Sequence, residues 1–170
     1  DSSVVVARFL GTSPNSSNVH SLLDSICNQL IRIYQKDCEA PLAFAELCDF
    51  FRSALWTWPT SNRPLYLFLD GIEKLDDSNA GRRLEWLPMR ASQFSRILVS
   101  CSPDREGDYR CLTHVRNEFD RLGAEEAVVF CHLTEERDAS AVVEHFLHQK
   151  KRHLLKNLQQ NLIQKLTKLI

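Results

Sequence analysis

The chain has 170 residues, of which 44% are hydrophobic and 25% are charged, and its formal net charge at pH 7 is −1. These values are typical of one folded domain, or of one domain with a helical extension. A net charge near zero gives no argument for a nucleic-acid or membrane-surface protein. Because no apolar run approaches about 18 residues, no transmembrane segment is predicted.

The pattern of the six cysteines indicates a protein of a reducing compartment. No two of them have the C-x-x-C spacing of a structural zinc site, so we do not predict one. Several lie in apolar runs, where a reduced cysteine packs as a small hydrophobic residue. Since no signal peptide is visible either, we expect a cytoplasmic protein.

Strands and helices are predicted to alternate along the chain. Runs rich in β-branched, aromatic and other apolar residues predict strands at 4–10, 65–69, 96–101 and 127–131. Apolar residues at helical spacing predict helices at 18–35, 41–55, 78–87, 113–122 and from 134 towards the end of the chain. This order is typical of an α/β domain with a parallel sheet whose apolar strands are buried on both faces.

Three local signals set the predicted helix starts. Ser17 can cap the first helix with its hydroxyl, and Pro41 fits the first turn of the second. Thr134 can cap the last helix, where Glu135 and Glu136 would face the positive end of the helix dipole.

The strand predicted at 65–69 ends in acidic residues. Asp70 follows it directly, Gly71 comes next, and Glu73 lies one turn further on. Open α/β sheets bind ligands at the carboxyl ends of their strands, and a Walker B strand places its aspartate there to hold Mg²⁺ on nucleotide phosphates. The plainer alternative is that Asp-Gly only forms the turn.

Two serines lie at the end of the next predicted strand. Ser100 is within the run at 96–101 and Ser102 directly follows it, and parallel strands bring their carboxyl ends to one edge of the sheet. We therefore expect both hydroxyls near Asp70 and Glu73, either as ligand-binding groups or as loop caps.

Longer segments resemble a known family. The chain is similar to the NACHT nucleotide-binding domain of STAND-class P-loop ATPases, and most similar to NACHT and WD-repeat proteins and their nephrocystin-like relatives. The resemblance rests on VVVARFLGTSPNSSNVHSLLDSICNQL, RPLYLFLDGIEKL, RRLEWLP with RILVSCSPD, and HLTEERDASAVVEHFL.

The resemblance implies a three-layer α/β/α P-loop NTPase-like fold that uses ATP and Mg²⁺ as a signalling switch. It assigns the metal to Asp70, a catalytic role to Glu73, and nucleotide contacts at the sensor 1 position to Ser100 and Ser102. It also implies slow turnover, flanking domains of the parent protein as partners, and self-association or association with other proteins. No nucleic-acid partner is expected.

The sequence departs from the family pattern in three ways. Lys74 stands where many NACHT domains have a further acid, and Ser102 stands where sensor 1 often has arginine. No G-x-x-x-x-G-K-[ST] motif occurs, and none of the five glycines is placed for a phosphate loop. We therefore expect a fragment that starts after the Walker A motif and does not bind ATP or turn it over by itself.

The family strand order 5-1-4-3-2 then implies a specific arrangement. Strands 2–5 would be present and strand 1 missing, so strands 2, 3 and 4 should pair as a block with residues 65–69 central. The strand at 127–131 would lack its usual neighbour. Residues 1–133 would form the partial NTPase core, and residues 134–170 would begin the helical domain.

Six positive charges and no acid lie within 150–170. With the leucine stripe of this segment, they allow a membrane-surface helix or a calmodulin-type target. The plainer alternative is a helix that packs on the helical domain that follows in the family. For the whole chain, the alternatives to a switch ATPase are a scaffold that does not hydrolyse nucleotide and, with less support, a GTPase or kinase-like enzyme.

Overall fold

The computed structural model describes residues 3–88, 90–102, 111–122 and 136–149, together with positions 160 and 164. The chain divides into two compact units, Asp1–Glu126 and Ala127–Ile170. The domain boundary predicted after residue 133 stays a prediction. In the first unit the elements are strands β1 (Val4–Phe9), β2 (Leu65–Asp70) and β3 (Ser95–Val99), and helices α1 (Val19–Ile33), α2 (Phe44–Thr57) and α3 (Cys111–Leu122). In the second unit, helix α4 spans Glu136–Gln149.

The three strands form a parallel sheet in the order β1-β2-β3. Val4 pairs with Leu65 at the start of β1 and Phe9 pairs with Asp70 at its end, while β2 pairs with β3 from Leu65 to Leu69. The predicted α/β class is confirmed, and so is the prediction that these strands form a block around residues 65–69. The strand predicted at 127–131 lies outside the described residues.

One face of the sheet is buried beneath the helices. Leu65, Leu67 and Leu69 of β2 are at most 1% exposed. Helix α1 contacts the sheet through Arg8 of β1. The Arg8 guanidinium donates to Ser25 Oγ at 3.0 Å and to Gln29 Oε1 at 2.7 Å.

Helices α2 and α3 pack on the same face as α1. The Ser95 hydroxyl donates to the Leu55 carbonyl at 2.6 Å, and Val115 of α3 lines a pocket together with Ser95, Ile97 and Val99. The described contacts of all three helices therefore lie on one face of the sheet, where Leu65, Leu67 and Leu69 of β2 and Ser95 of β3 are buried.

The opposite face of the sheet is considerably more exposed. Val5 and Phe9 of β1 are 60% and 61% exposed, and Tyr66 and Phe68 of β2 are 37% and 38% exposed. The expectation that β2 is buried on both faces is therefore wrong for the described residues. The strand instead alternates between buried and exposed positions, because the contacts made by α1, α2 and α3 lie on one face.

The helix starts differ from the sequence predictions in two places. Asn18, not Ser17, caps α1, since its side chain accepts from the backbone N–H of Ser21 at 3.0 Å. Ser17 instead ends a short 3-10 helix, Pro14–Ser17. Helix α2 begins at Phe44 rather than near Pro41, because Ala43 still has extended backbone angles.

The helix predicted at 78–87 is shorter and irregular. Only Ser78–Arg83 is helical, as a 3-10 segment. Asn79, Ala80 and Leu84 have positive φ angles, which interrupt a right-handed helix. Leu84 and Leu87 are nevertheless buried, with exposures of 1% and 6%. The α3 prediction is confirmed, and the cap predicted at Thr134 lies outside the described residues.

Cys27 of α1 is a free, fully buried thiol in the core. Burial is the largest cause that raises its pKa to about 12, and the nearby Asp24 and Cys48 act in the same direction. The thiol ionises near pH 8.5 in an unfolded chain. It therefore stabilises the fold fully below that pH, and this contribution is lost as the pH rises towards 12.

We expect the free energy of unfolding to fall above about pH 9. Ionisation of Cys27 should contribute up to about 1.4 kcal/mol per pH unit to this fall. Cys27→Ala should lower stability near neutral pH by about 1 kcal/mol and make the alkaline slope shallower. Urea unfolding at several alkaline pH values measures both effects. Cys38→Ala is the control, because Cys38 is exposed. Equal slopes in wild type and Cys27→Ala would contradict the assignment.

Candidate functional site

The carboxyl ends of the three strands meet at one edge of the sheet. Phe9, Asp70 and Val99 end β1, β2 and β3, and parallel pairing keeps these ends level. The loop after β1, the turn after β2 and residues 100–102 after β3 therefore come together. This is the edge where open α/β sheets bind ligands.

Asp70 and Ser100 contact each other directly. The Ser100 hydroxyl donates to Asp70 Oδ1 at 2.5 Å, and its oxygen accepts from the Gly71 N–H at 3.1 Å. The backbone N–H of Ser100 donates to the Leu69 carbonyl at 2.9 Å. Ser100 thus orients an exposed carboxylate at the end of the central strand.

The turn after Asp70 is fixed by glycine and by backbone hydrogen bonds. Gly71 has a φ of +78°, a left-handed conformation that costs little only for glycine. The N–H groups of Gly71 and Ile72 both donate to the Ser100 carbonyl, at 3.1 and 3.0 Å. Ile72 and Leu75 are fully buried, so the turn that carries Glu73 is anchored to the core.

Glu73 is partly buried, and only one of its carboxylate oxygens is engaged. Ser102 Oγ donates to Glu73 Oε1 at 3.0 Å, and Lys74 Nζ lies 3.6 Å from the same oxygen. Glu73 Oε2 is buried and has no hydrogen-bond partner among the described residues. A buried polar atom without a partner is uncommon in folded proteins, and at this edge it is consistent with a place for a bound group.

Lys74 joins the turn to the loop after β1. A Cβ atom built on Gly11 would lie 2.9 Å from both Cβ and Cγ of Lys74. Gly11 also has a φ of +72°. The lysine stem therefore packs directly on a glycine, while the ammonium extends to Glu73.

The four site residues predicted from the sequence lie at this edge of the sheet, and Gly11, which also lies there, was not predicted. The structure places Ser100 on Asp70 and Ser102 on Glu73, so their proximity is as expected. Their roles as metal, nucleotide and catalytic groups stay predictions. The contact between Gly11 and Lys74 spans 63 positions of sequence, and the available signal was the single glycine at the end of a β-rich run.

Gly11→Ala is expected to destabilise the fold by about 1 to 3 kcal/mol, because it combines positive-φ strain with a clash against Lys74. Gly71→Ala is the matched control, since a Cβ there would lie 3.5 Å from Lys74 Cγ and would add strain only. Chemical denaturation of both variants measures the difference. A smaller loss for Gly11→Ala than for Gly71→Ala would contradict the packing described for Lys74.

The described residues do not provide a complete metal cage. Among them, no group of three His, Cys, Asp or Glu side chains could hold a metal ion. Mg²⁺ at phosphate sites commonly uses one or two carboxylates together with substrate phosphates and waters. Asp70 and Ser100 fit that smaller donor set.

No helix in the described part of the chain is long and apolar enough to span a membrane.

Comparisons with known proteins match this chain to one group. The human NACHT and WD repeat domain-containing protein 2 is 36% identical over 123 residues, and the mouse protein of that name is 35% identical over 123 residues, each covering 70% of this chain. The human NACHT domain- and WD repeat-containing protein 1 is 37% identical over 108 residues, or 58% of this chain. The chain is a homologue of the NACHT and WD repeat proteins.

The homology covers a small part of those proteins. Each match spans 7% of the relative's own length. No family model matches the chain, and no solved structure matches it. The NACHT names of these relatives and the parallel α/β sheet of this chain agree with the family resemblance seen in the sequence.

Proposed function

We propose that this chain forms the metal-binding part of a NACHT ATPase, in which ATP binding switches the conformation and self-association of the parent protein. The observation that carries the proposal is the position of Asp70. Its carboxylate lies at the carboxyl end of the central parallel strand, is exposed, and is oriented by the Ser100 hydroxyl. The NACHT names of the homologues support the family part of the proposal.

Mg²⁺ bound with a nucleotide would neutralise phosphate charge at this edge. Asp70 would hold the ion, and Ser100 would keep one carboxylate oxygen in place. Glu73 would lie next to it, with Ser102 fixing its Oε1 and leaving Oε2 directed at a bound group. In this proposal Ser102 contributes by positioning Glu73 near the nucleotide.

Lys74 favours switching over rapid hydrolysis. A general base needs a carboxylate oxygen that can accept a proton from water. Glu73 Oε1 already accepts from Ser102 and is approached by the Lys74 ammonium. With the neighbouring position basic rather than acidic, we expect bound nucleotide to persist and turnover to be slow.

Calorimetric titration with Mg-ATP tests the proposal. A longer form of the protein that carries a Walker A segment is expected to bind with micromolar affinity. The 170-residue chain should show no such binding, because its sequence contains no G-x-x-x-x-G-K-[ST] motif. No binding by the longer protein, or micromolar binding by this chain alone, would contradict the proposal.

A second candidate function is that of a scaffold with an NTPase fold but no nucleotide turnover. The pairing of Lys74 with Glu73 favours it, because it engages one of the two carboxylate oxygens of the group that would activate water. The two functions differ in binding: the scaffold would keep its protein partners without ATP, and the switch would not. Partner binding by the longer protein with and without Mg-ATP separates them.

A further inference from the structure

The loop after β1 carries an exposed serine followed by proline. Ser13 is exposed and extended, with φ −151° and ψ 161°, and Pro14 begins the 3-10 helix Pro14–Ser17. A residue before proline is biased towards this extended conformation. Serine hydroxyls are phosphoryl acceptors, and proline-directed protein kinases act on serine in this context.

The other serines of the loop are less available. The Ser16 hydroxyl accepts from the Ser13 N–H at 2.8 Å and donates to the Ser13 carbonyl at 2.7 Å. Ser17 is half-buried, and its carbonyl accepts from the Asp76 N–H at 2.8 Å. These contacts hold the backbone of the loop. Of its three serines, Ser13, Ser16 and Ser17, Ser13 is the exposed one.

A cation lies against this loop. The stem of Lys74 packs on Gly11, two residues before Ser13. Because adjacent Cα atoms are about 3.8 Å apart, the Cα atoms of Gly11 and Ser13 are separated by at most about 7.6 Å. The side chain of Lys74 is 59% exposed and long and flexible, so its ammonium can turn from Glu73 towards a group on Ser13.

We propose that Ser13 is a phosphorylation site for a proline-directed kinase, and that its phosphate binds the Lys74 ammonium in place of Glu73. In the transfer, the bond from Ser13 Oγ to the γ-phosphorus of ATP forms while the bond from that phosphorus to the β,γ-bridging oxygen breaks. ADP leaves, and the hydroxyl proton passes to the catalytic base of the kinase. The phosphate carries a charge of about −1.5 to −2 at pH 7, more than the single carboxylate it replaces.

Phosphorylation would therefore change the charge beside Asp70 by releasing Glu73 from Lys74. The inference does not depend on nucleotide binding by the chain.

The sequence also contains Ser102-Pro103, which serves as an internal comparison. Ser102 donates to Glu73 Oε1, and a phosphate there would be repelled by that carboxylate.

Incubation of the full chain with Mg-ATP and a proline-directed serine kinase, followed by mass-spectrometric mapping, tests the site. We expect phosphate on Ser13 in the wild type and in Ser102→Ala, and its loss in Ser13→Ala. Ser13 is the N-cap of the 3-10 helix Pro14–Ser17, so Ser13→Ala alters this exposed loop but removes no side chain from the core. Absence of phosphate on Ser13 in the wild type would overturn the site.

A ³¹P NMR pH titration of the phosphorylated chain tests the role of Lys74. A free phosphoserine loses its second proton near pH 6, and an adjacent ammonium favours the dianion. The midpoint should therefore lie about 0.2 to 0.7 pH units lower in the wild type than in Lys74→Gln. Equal midpoints would overturn the contact between the phosphate and Lys74.

Discussion

Phe51→Ala is expected to lower the free energy of unfolding by about 3 to 5 kcal/mol. Phe51 of α2 is fully buried, and its ring centroid lies 6.4 Å from that of Trp86. Truncation removes a large apolar side chain from between α2 and the irregular 78–87 segment, and leaves a cavity that the core cannot fully close. Since small domains are stable by about 5 to 15 kcal/mol, urea or thermal unfolding should show a large shift.

Phe9→Ala is the matched control for this experiment. It removes the same atoms from a side chain that is 61% exposed at the end of β1. We expect a loss below about 1 kcal/mol. Comparable losses for the two variants would show that the sheet face of Phe9 is as buried as the core, which would contradict the described packing.

Asp70→Asn is expected to reduce Mg-nucleotide affinity about 100-fold in the longer protein that carries the phosphate-binding segment. Asparagine keeps the size of the side chain and can still accept from Ser100, so the turn should be preserved. The loss of the negative charge removes the proposed ligand for Mg²⁺. Calorimetry with Mg-ATP measures the change.

Asp77→Asn provides the control in the same region of the chain. The Asp77 side chain is 87% exposed and lies 3.7 Å from Arg82. It makes no described contact with Ser100 or Glu73, so we expect wild-type affinity. Equal effects of the two substitutions would indicate a general charge effect and not a metal ligand at Asp70.

The sheet and its site edge could be predicted because each rests on a local signal. The apolar run at 65–69 followed by Asp-Gly defines a strand and its end. Parallel pairing then forces residues after β3 to lie beside Asp70. This is why Ser100 and Ser102 could be placed near the acids without knowledge of any tertiary contact.

Features that depend on tertiary contacts were not predictable in the same way. The start of α2 at Phe44 follows from the extended backbone of Ala43, next to Leu42, whose carbonyl lies 2.9 Å from His20 Nε2. Periodicity could not show the left-handed residues within 78–84. Nor could the apolar sequence of β2 show that Phe68 is 38% exposed, because exposure depends on which elements cover each face of the sheet.

The Lys74 contact illustrates the same limit within the site. The sequence showed a basic residue, Lys74, directly after Glu73. It could not show that the lysine stem packs on Gly11, since that contact joins two loops. The packing makes Lys74 a structural part of the site edge as well as a charge.

The Mg²⁺ dependence of nucleotide affinity tests the central proposal most directly. ATP binding by the longer protein should be measured with Mg²⁺ and with a chelator, in the wild type and in Asp70→Asn. We predict that Mg²⁺ strengthens binding by at least about tenfold in the wild type and has little effect in Asp70→Asn. An equal gain from Mg²⁺ in both proteins would show that Asp70 does not hold the metal and would contradict the account.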